Sequence, residues 1–418
     1  MKLLSAGDEN KEMGGHVGRS CFFTSISTNY IAKAVAWACS VRQLYPRSAI
    51  YFYVYNLSEL TRAARSELER ACVDVVGGEF CLRDPLRLVR SEKRYPYIFS
   101  LTEGCTSVKP RAALELLQLY PDVTYMDPDT ILYQDLDQGR PLSWDLQLIP
   151  HITEPTGSPA ILNERLFLSS GVFNLGYFSA TRSSAIFEYL EWWNCFLENY
   201  CHDSIQLGLY VDQRPCDLAP CFVEQLDVIR HPGYNVAWWN LFSDRQLVSG
   251  DGCFQVVRRG DFFPLIFFHF SNYPGSSNLS LPVARPLPEL MAGLQELSLQ
   301  ASWPDVSELY RDYDQRVKKY ASLLEFVSSY SQYQFSYCGK RIPQLARILY
   351  REAYPNGTTW DPFASSQALV VLRAIGVILR RYHRADFKSA VKRSVRLFLS
   401  LLTPSLSRLD PRPTKLLP

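Results

Sequence analysis

Between residues 20 and 126 the chain alternates short apolar runs with amphipathic stretches, and this alternation restricts the fold more than any other feature. Ser20-Cys21-Phe22-Phe23-Thr24-Ser25-Ile26 reads as a first strand ending in small hydroxyl residues. Thr28 or Asn29 can cap a helix running to about Leu44, with Ile31, Val35, Ala38 and Val41 on its buried face. Residues 49–55 read as a second strand, followed by a helix from near Ser58 with Glu59 in its first turn and Ala63, Leu68 and Ala71 along it. Residues 73–76 read as a third strand that stops at Gly77-Gly78. Lys109-Pro110 opens a further helix, with Ala113, Leu116 and Leu117 inward, which leads into a strand at residues 123–126. Strands and helices in this order predict an α/β fold with a mainly parallel, Rossmann-like central sheet.

Asp127-Pro128-Asp129 follows that last strand. Pro128 has no N–H for a ladder and pushes Asp127 toward an extended conformation, so the strand ends there. Two carboxylates are thereby left at a strand's carboxyl end, where open α/β sheets bind ligands. Hard divalent cations such as Mn2+ or Mg2+ take oxygen ligands, and a cation shared with a diphosphate needs only one or two carboxylates. Asp-Pro-Asp is also good turn chemistry, so the tripeptide by itself leaves both readings open.

Downstream residues add candidates of the same kind. Ser170 to Phe178 reads as a strand with small residues where another group comes close, and its Asn174 could hydrogen-bond a sugar hydroxyl or simply serve the strand. An aromatic-rich helix follows at residues 185–200, more consistent with core than with a sugar-stacking surface. Asp212-Gln213-Arg214 offers a carboxylate, an amide and a guanidinium in succession. Residues 264–271 read as one strongly apolar strand carrying His269. A lone histidine there is commonly a satisfied core residue, yet imidazole is also a good third ligand beside two carboxylates.

Composition narrows the setting. The 418 residues, 47% hydrophobic and 21% charged, are those of a folded chain with room for a large domain and an appendage. Residues 1–19 are polar and contain glycines without an apolar core segment, so no signal peptide and a cytoplasmic location are expected. Eleven scattered cysteines without a Cys-x-x-Cys pair suit reduced thiols and argue against a zinc cluster. From Lys340 onward there are 15 basic against 4 acidic residues, so the tail is basic and the remainder acidic. Residues 386–402 read as an amphipathic helix with Phe387, Val391, Val395, Phe398 and Leu402 on one stripe. Such a helix can lie on an anionic membrane, which would make the protein peripheral at the inner face of the plasma membrane. A packed helix with a solvated basic face is the competing reading. A nucleic-acid partner is not expected, because few aromatics accompany the basic residues.

Taken in order, these pieces resemble the metal-dependent glycosyltransferases of family eight and their bacterial relatives. Asp127-Pro128-Asp129 is similar to that family's Asp-x-Asp, Phe173-Asn174-Leu175-Gly176 to its Phe-Asn-x-Gly element, and Asp212-Gln213 to an Asp-Gln pair beside the reacting sugar. The Pro-His, Val-Asp-Gln and Pro-Gly-Tyr-Asn-Val-Ala-Trp-Trp-Asn segments resemble a bacterial group within those relatives. The family's Lys-Pro-Trp after the late histidine is absent; Phe270-Ser271-Asn272-Tyr273 stands there instead. The resemblance implies a GT-A domain at residues 20–285, after a flexible N-terminus (1–19) and before a basic, mainly helical C-terminal extension (286–418). It implies a cation, Mn2+ or Mg2+, held by Asp127, Asp129 and His269. It also implies a nucleotide-diphosphate sugar, a UDP-sugar, contacted by Thr24, Ser25, Asn29, Tyr30, Lys109, Asp127 and Asn174. Asp212 and Gln213 would be catalytic, moving a hexose with retention to a saccharide or lipid-linked saccharide acceptor. In an inverting reaction a carboxylate such as Glu154, Glu164 or Asp217 would deprotonate the acceptor. Two other classes remain open: a nucleotide-diphosphate-sugar hydrolase or nucleotidyltransferase on the same metal site, and a non-catalytic, membrane-associated nucleotide-sugar-binding protein.

Overall fold

The computed structural model describes residues 20–89, 95–136, 144–155, 164–241, 245–250, 253–271, 273, 303–327, 332–335, 341–355 and 357–382. A seven-stranded sheet forms its centre, in the spatial order Leu226–Val228, Leu146–Pro150, Phe173–Thr181, Asp122–Met126, Cys21–Ile26, Ala49–Val54 and Phe80–Arg83. All neighbours pair in parallel except Phe173–Thr181, which runs antiparallel to both of its partners. The expected α/β architecture with a mainly parallel sheet is therefore present, with helices at Trp303–Lys319, Gln344–Ala353 and Gln367–Tyr382 toward the C-terminus.

Cys21–Ile26, Ala49–Val54 and Phe173–Ala180 are buried along their whole length, which is why they read as apolar runs rather than alternating ones. The helix Ile31–Leu44 packs with buried residues on most of its circumference. Its four buried alanines at 32, 34, 36 and 38 let it approach the sheet closely, and Trp37 fills the space against Phe52. Ile31, Val35, Ala38 and Val41 are all buried as expected.

Four local expectations are corrected. Neither Thr28 nor Asn29 caps that helix by its side chain: residues Thr28–Tyr30 form a 3-10 turn, and Thr28 is tied to Asn56 instead. The following helix begins at Arg62, capped by Thr61, while Leu57–Glu59 is a separate single turn. Residues 73–76 are the last turn of that helix, and the strand is Phe80–Arg83, beyond Gly77 and Gly78. Both glycines have φ near +65° (67° and 63°), so they end the helix rather than the strand. The apolar run at 264–271 is divided between Asp261–Pro264, which belongs to a three-stranded sheet, and Phe267–His269, which pairs with Thr130–Leu132.

The chain divides into two compact units. Residues 1–90 and 101–331 make up the first, which contains the central sheet and the helix Trp303–Lys319. Residues 91–100 and 332–418 make up the second. There the buried Arg347 donates to the carbonyl oxygens of Pro96, Tyr97, Phe99 and Tyr333. Among the described residues no helix is long and apolar enough to cross a membrane. The amphipathic stretch 386–402 lies outside the described residues.

Candidate metal and donor site

The strand Asp122–Met126 delivers Asp127 and Asp129 to the carboxyl edge of the parallel strands. The backbone there is fixed on both sides. Asp127 N–H donates to Gly176 O at 2.9 Å, and the Asp127 carbonyl accepts from both N–H and Oγ1 of Thr130. Because Thr130 pairs directly with His269, the short two-stranded sheet brings the imidazole beside both carboxylates. His269 Nε2 lies 3.2 Å from Asp129 Oδ1 and 3.7 Å from Asp127 Oδ2. Single ligand atoms of Asp127, Asp129 and His269 all fall within 4.8 Å of one another. That spread suits a divalent cation, whose ligands sit at roughly 2.1 Å from it, and two carboxylates with one imidazole suit a manganese-like ion. Burial works to raise the Asp129 carboxyl, but His269 and then Lys33 outweigh it and hold the group below its ordinary range.

A chain of amides decides which nitrogen of His269 faces the carboxylates. Gln213 Nε2 donates to Ser170 O, and its Oε1 accepts from Leu175 N–H and from Asn174 Nδ2. Asn174 Oδ1 accepts from Gly176 N–H and from Asn235 Nδ2. Asn235 Oδ1 then faces His269 Nδ1 at 3.2 Å and can only accept, so Nδ1 carries the hydrogen. Nε2 is thereby the ring atom turned to the carboxylates, and it would be the ligand atom for a cation that displaces its proton. Asn235 holds its place with φ +48°, in the left-handed region that asparagine tolerates. Gly176 is required by the same crowding: a Cβ there would stand 2.5 Å from His269 Cε1 and 2.8 Å from Asn174 Oδ1.

Lys109 anchors the other side. It is buried, and its ammonium lies 2.9 Å from Leu175 O, 2.7 Å from Asp212 Oδ2 and 3.3 Å from Asp127 Oδ1. Burial opposes its charge, but Asp127 and Asp212 more than offset that and push the amine up to about 12. Asp212 follows Val211, a β-branched residue held at φ +38°. Such a conformation is costly away from glycine and marks a position that its surroundings fix.

Asp127, Asp129, His269, Lys109, Asp212, Gln213 and Asn174 are thus brought into one connected cluster. The residues around the first strand are placed differently. Thr24 is fully buried and Ser25 donates its hydroxyl to Cys105 O, whereas Asn29 and Tyr30 remain partly exposed. Of the carboxylates considered for an inverting base, Glu154 pairs with Arg258 and Arg259, and Asp217 pairs with Arg214 and accepts from Val172 N–H. Glu164 opens the short helix Glu164–Ser170.

Three residues of this neighbourhood carried no site assignment in the sequence. Asn235 read as a turn residue, although its place in Pro232-Gly233-Tyr234-Asn235 beside two tryptophans was the available signal. His151 read as loop material; it lies buried between Phe167 and Trp239 with Nε2 3.2 Å from Asn174 Nδ2. Lys33 read only as one residue of the first helix, and no periodicity distinguishes it.

No family model matches the chain. Across 268 residues it is 26% identical to a protein of Bacillus subtilis (strain 168) named Uncharacterized protein YfnF, covering 61% of this chain and 82% of that one. Among solved structures it is similar to the galactosyltransferase LgtC in complex with donor and acceptor sugar analogs, at 15% identity and a TM-score of 0.37, covering 66% of this chain and 95% of that one. It is also similar to mouse xyloside xylosyltransferase 1, at 11% identity and a TM-score of 0.36, covering 61% of this chain and 98% of that one. The glycosyltransferase GlyE of Streptococcus pneumoniae TIGR4 aligns at 13% identity and a TM-score of 0.36, covering 70% of this chain and 64% of that one.

Proposed function

We propose that this chain is a GT-A-type glycosyltransferase that moves a hexose from a nucleotide-diphosphate sugar, with UDP as the nucleotide, to a saccharide or lipid-linked acceptor. The observation that carries the reading is the convergence of Asp127, Asp129 and His269 at the carboxyl edge of a parallel sheet. These three would hold Mn2+ or Mg2+, which when bound supplies Lewis-acid stabilisation of the charge collecting on a departing diphosphate.

The protein's own residues prepare that event. Lys109 holds Asp127 and Asp212 in fixed positions, so the carboxylate does not swing out to solvent before a cation arrives. The amide chain from Gln213 through Asn174 and Asn235 fixes the ring of His269. Preorganised dipoles of this kind need no reorganisation when charge develops. Asp212 and Gln213 are assigned to the reacting sugar, and retention is the outcome proposed. The ion pairs that occupy Glu154 and Asp217 support it, since neither carboxylate stands unpaired as a base for the acceptor. An acceptor carried on an anionic membrane accords with the basic balance from Lys340 onward.

Calorimetric titration of the full chain with UDP, with and without Mn2+, tests the reading. Binding should require the metal and disappear in Asp129→Ala. Metal-independent binding, or none at all, would remove the assignment. A hydrolase on the same cation site would turn the donor over without a saccharide acceptor, whereas the transferase should depend on one.

A further inference from the structure

Lys109 lies within the candidate site, and Lys33 is tied to its edge: Tyr273 O accepts from Lys33, Tyr273 N–H donates to Phe270 O, and Phe270 N–H donates to Asp129 O at 2.7 Å. An ammonium has three N–H donors. Lys109 directs them at Leu175 O, Asp127 and Asp212, all within 3.3 Å, so no donor is left for a ligand. Lys33, in the first turn of the helix Ile31–Leu44, is placed otherwise. Its Nζ donates to the carbonyl oxygen of Tyr273 at 3.1 Å and lies 4.7 Å from the centroid of the Tyr30 ring. Among the described residues no carboxylate comes within 4 Å of it, and among them Tyr273 O is the acceptor it meets, which leaves two of its N–H groups without one there. Burial works against its charge, and Asp129 only partly offsets that. Tyr273 itself is turned back onto Phe270, so the segment that follows His269 positions the lysine.

Charge balance gives that amine a task. Asp127, Asp129 and Asp212 contribute three negative charges, which Lys109 and one divalent cation neutralise. A diphosphate entering this arrangement brings at least two more negative charges into a partly buried place, where unpaired charge is costly. Lys33, connected to Asp129 through Tyr273 and Phe270, has donors to spare.

We propose that Lys33, rather than Lys109, supplies the ammonium that binds the phosphates of the donor nucleotide at the Asp127–Asp129–His269 cluster. This rests on the nucleotide-sugar reading above and assigns a phosphate-binding residue within it. Lys109 then keeps its carboxylates in place and has no contact with the ligand.

Titration of the Mn2+-loaded full chain with UDP separates the two ideas. Lys33→Met and Lys33→Gln should bind UDP tenfold or more weakly than the wild type, the size of a lost charge-assisted hydrogen bond. The glutamine keeps a donor for the Tyr273 carbonyl, so it guards against a merely structural loss. Lys33→Arg should recover most of the affinity. Uridine, which has no phosphate, should bind all four forms alike by saturation-transfer NMR, and Mn2+ affinity by electron paramagnetic resonance should be unchanged. UDP affinity equal in the wild type, Lys33→Met and Lys33→Gln would overturn the role of Lys33 and leave the nucleotide-sugar reading standing. A wild type that binds Mn2+ but not UDP would overturn both. Equal weakening of uridine and UDP would also overturn it, since the lysine would then be shaping the pocket and not meeting phosphate.

Discussion

His151 and His269 sit on opposite ends of the same asparagine pair, yet their surroundings drive them in opposite directions. Burial depresses the His269 imidazole, but Asp129 and then Asp127 reverse that and raise it. His151 has no such anion; burial pushes it down to about 4, only partly offset by the Val172 and Gly171 backbone. The unfolded chain binds a proton at this histidine near pH 6.5 and the folded chain only near pH 4. Its contribution is therefore complete above about pH 6.5 and is lost as the pH falls toward 4, a linked change of about 3 kcal/mol. Urea unfolding of His151→Asn between pH 7 and 4 should show a shallower acid loss than the wild type; identical profiles would refute the assignment. None of this was legible in the sequence, where Pro150-His151 reads as loop. The two aspartates were legible, because a proline between them fixes where a strand stops. The amide partners were not, since a hydrogen bond between positions 174 and 235 depends on packing that no local pattern encodes.

Among the elements, the antiparallel strand Phe173–Thr181 contributes most to the site. Running against its neighbours, it places its first residues at the edge where Asp122–Met126 ends, with Met126 opposite Tyr177. Gly176 is the gap in this strand that admits the His269 ring. Gly176→Ala should cost about 1–3 kcal/mol of stability by overpacking and should weaken Mn2+ binding at least tenfold, read by urea unfolding and by titration. Gly250→Ala, where a Cβ meets nothing within 4 Å, serves as the matched substitution and should leave Mn2+ affinity unchanged. Helix and strand types were readable from the apolar spacing where elements were long, as in Ile31–Leu44 and Ser184–Tyr200. Short apolar runs misled: residues 73–76 fit a buried strand as well as the end of a helix, and periodicity over four residues does not separate them. The run before His269 was likewise read as one strand, because pairing with two different sheets leaves no mark on its hydrophobicity.

For the molecule as a whole, division into two compact units means that unfolding need not be a single transition. Asp127, Asp129 and His269 all lie within the unit of residues 1–90 and 101–331. Scanning calorimetry with Mn2+ at one hundred times its Kd should stabilise only the transition of that unit, by about 2.7 kcal/mol. Arg347→Met should instead lower the other transition, because four carbonyl oxygens lose their donor at once. One transition moved by both changes would contradict this division. The parallel sheet was evident from the order of strands and helices, whereas Arg347 gathering carbonyls from residues 96–99 was not, being a contact across some 250 positions.

The pairing of Thr130 with His269 also sets a timetable for synthesis. A growing polypeptide that has left the ribosome only as far as Asp129 owns both acids but not the imidazole, and it cannot yet capture an ion. Any affinity for a cation at this cluster would arrive late, after most of the first unit has been made. A divalent cation that binds there would favour finished molecules over truncated ones, without helping the earliest steps of folding.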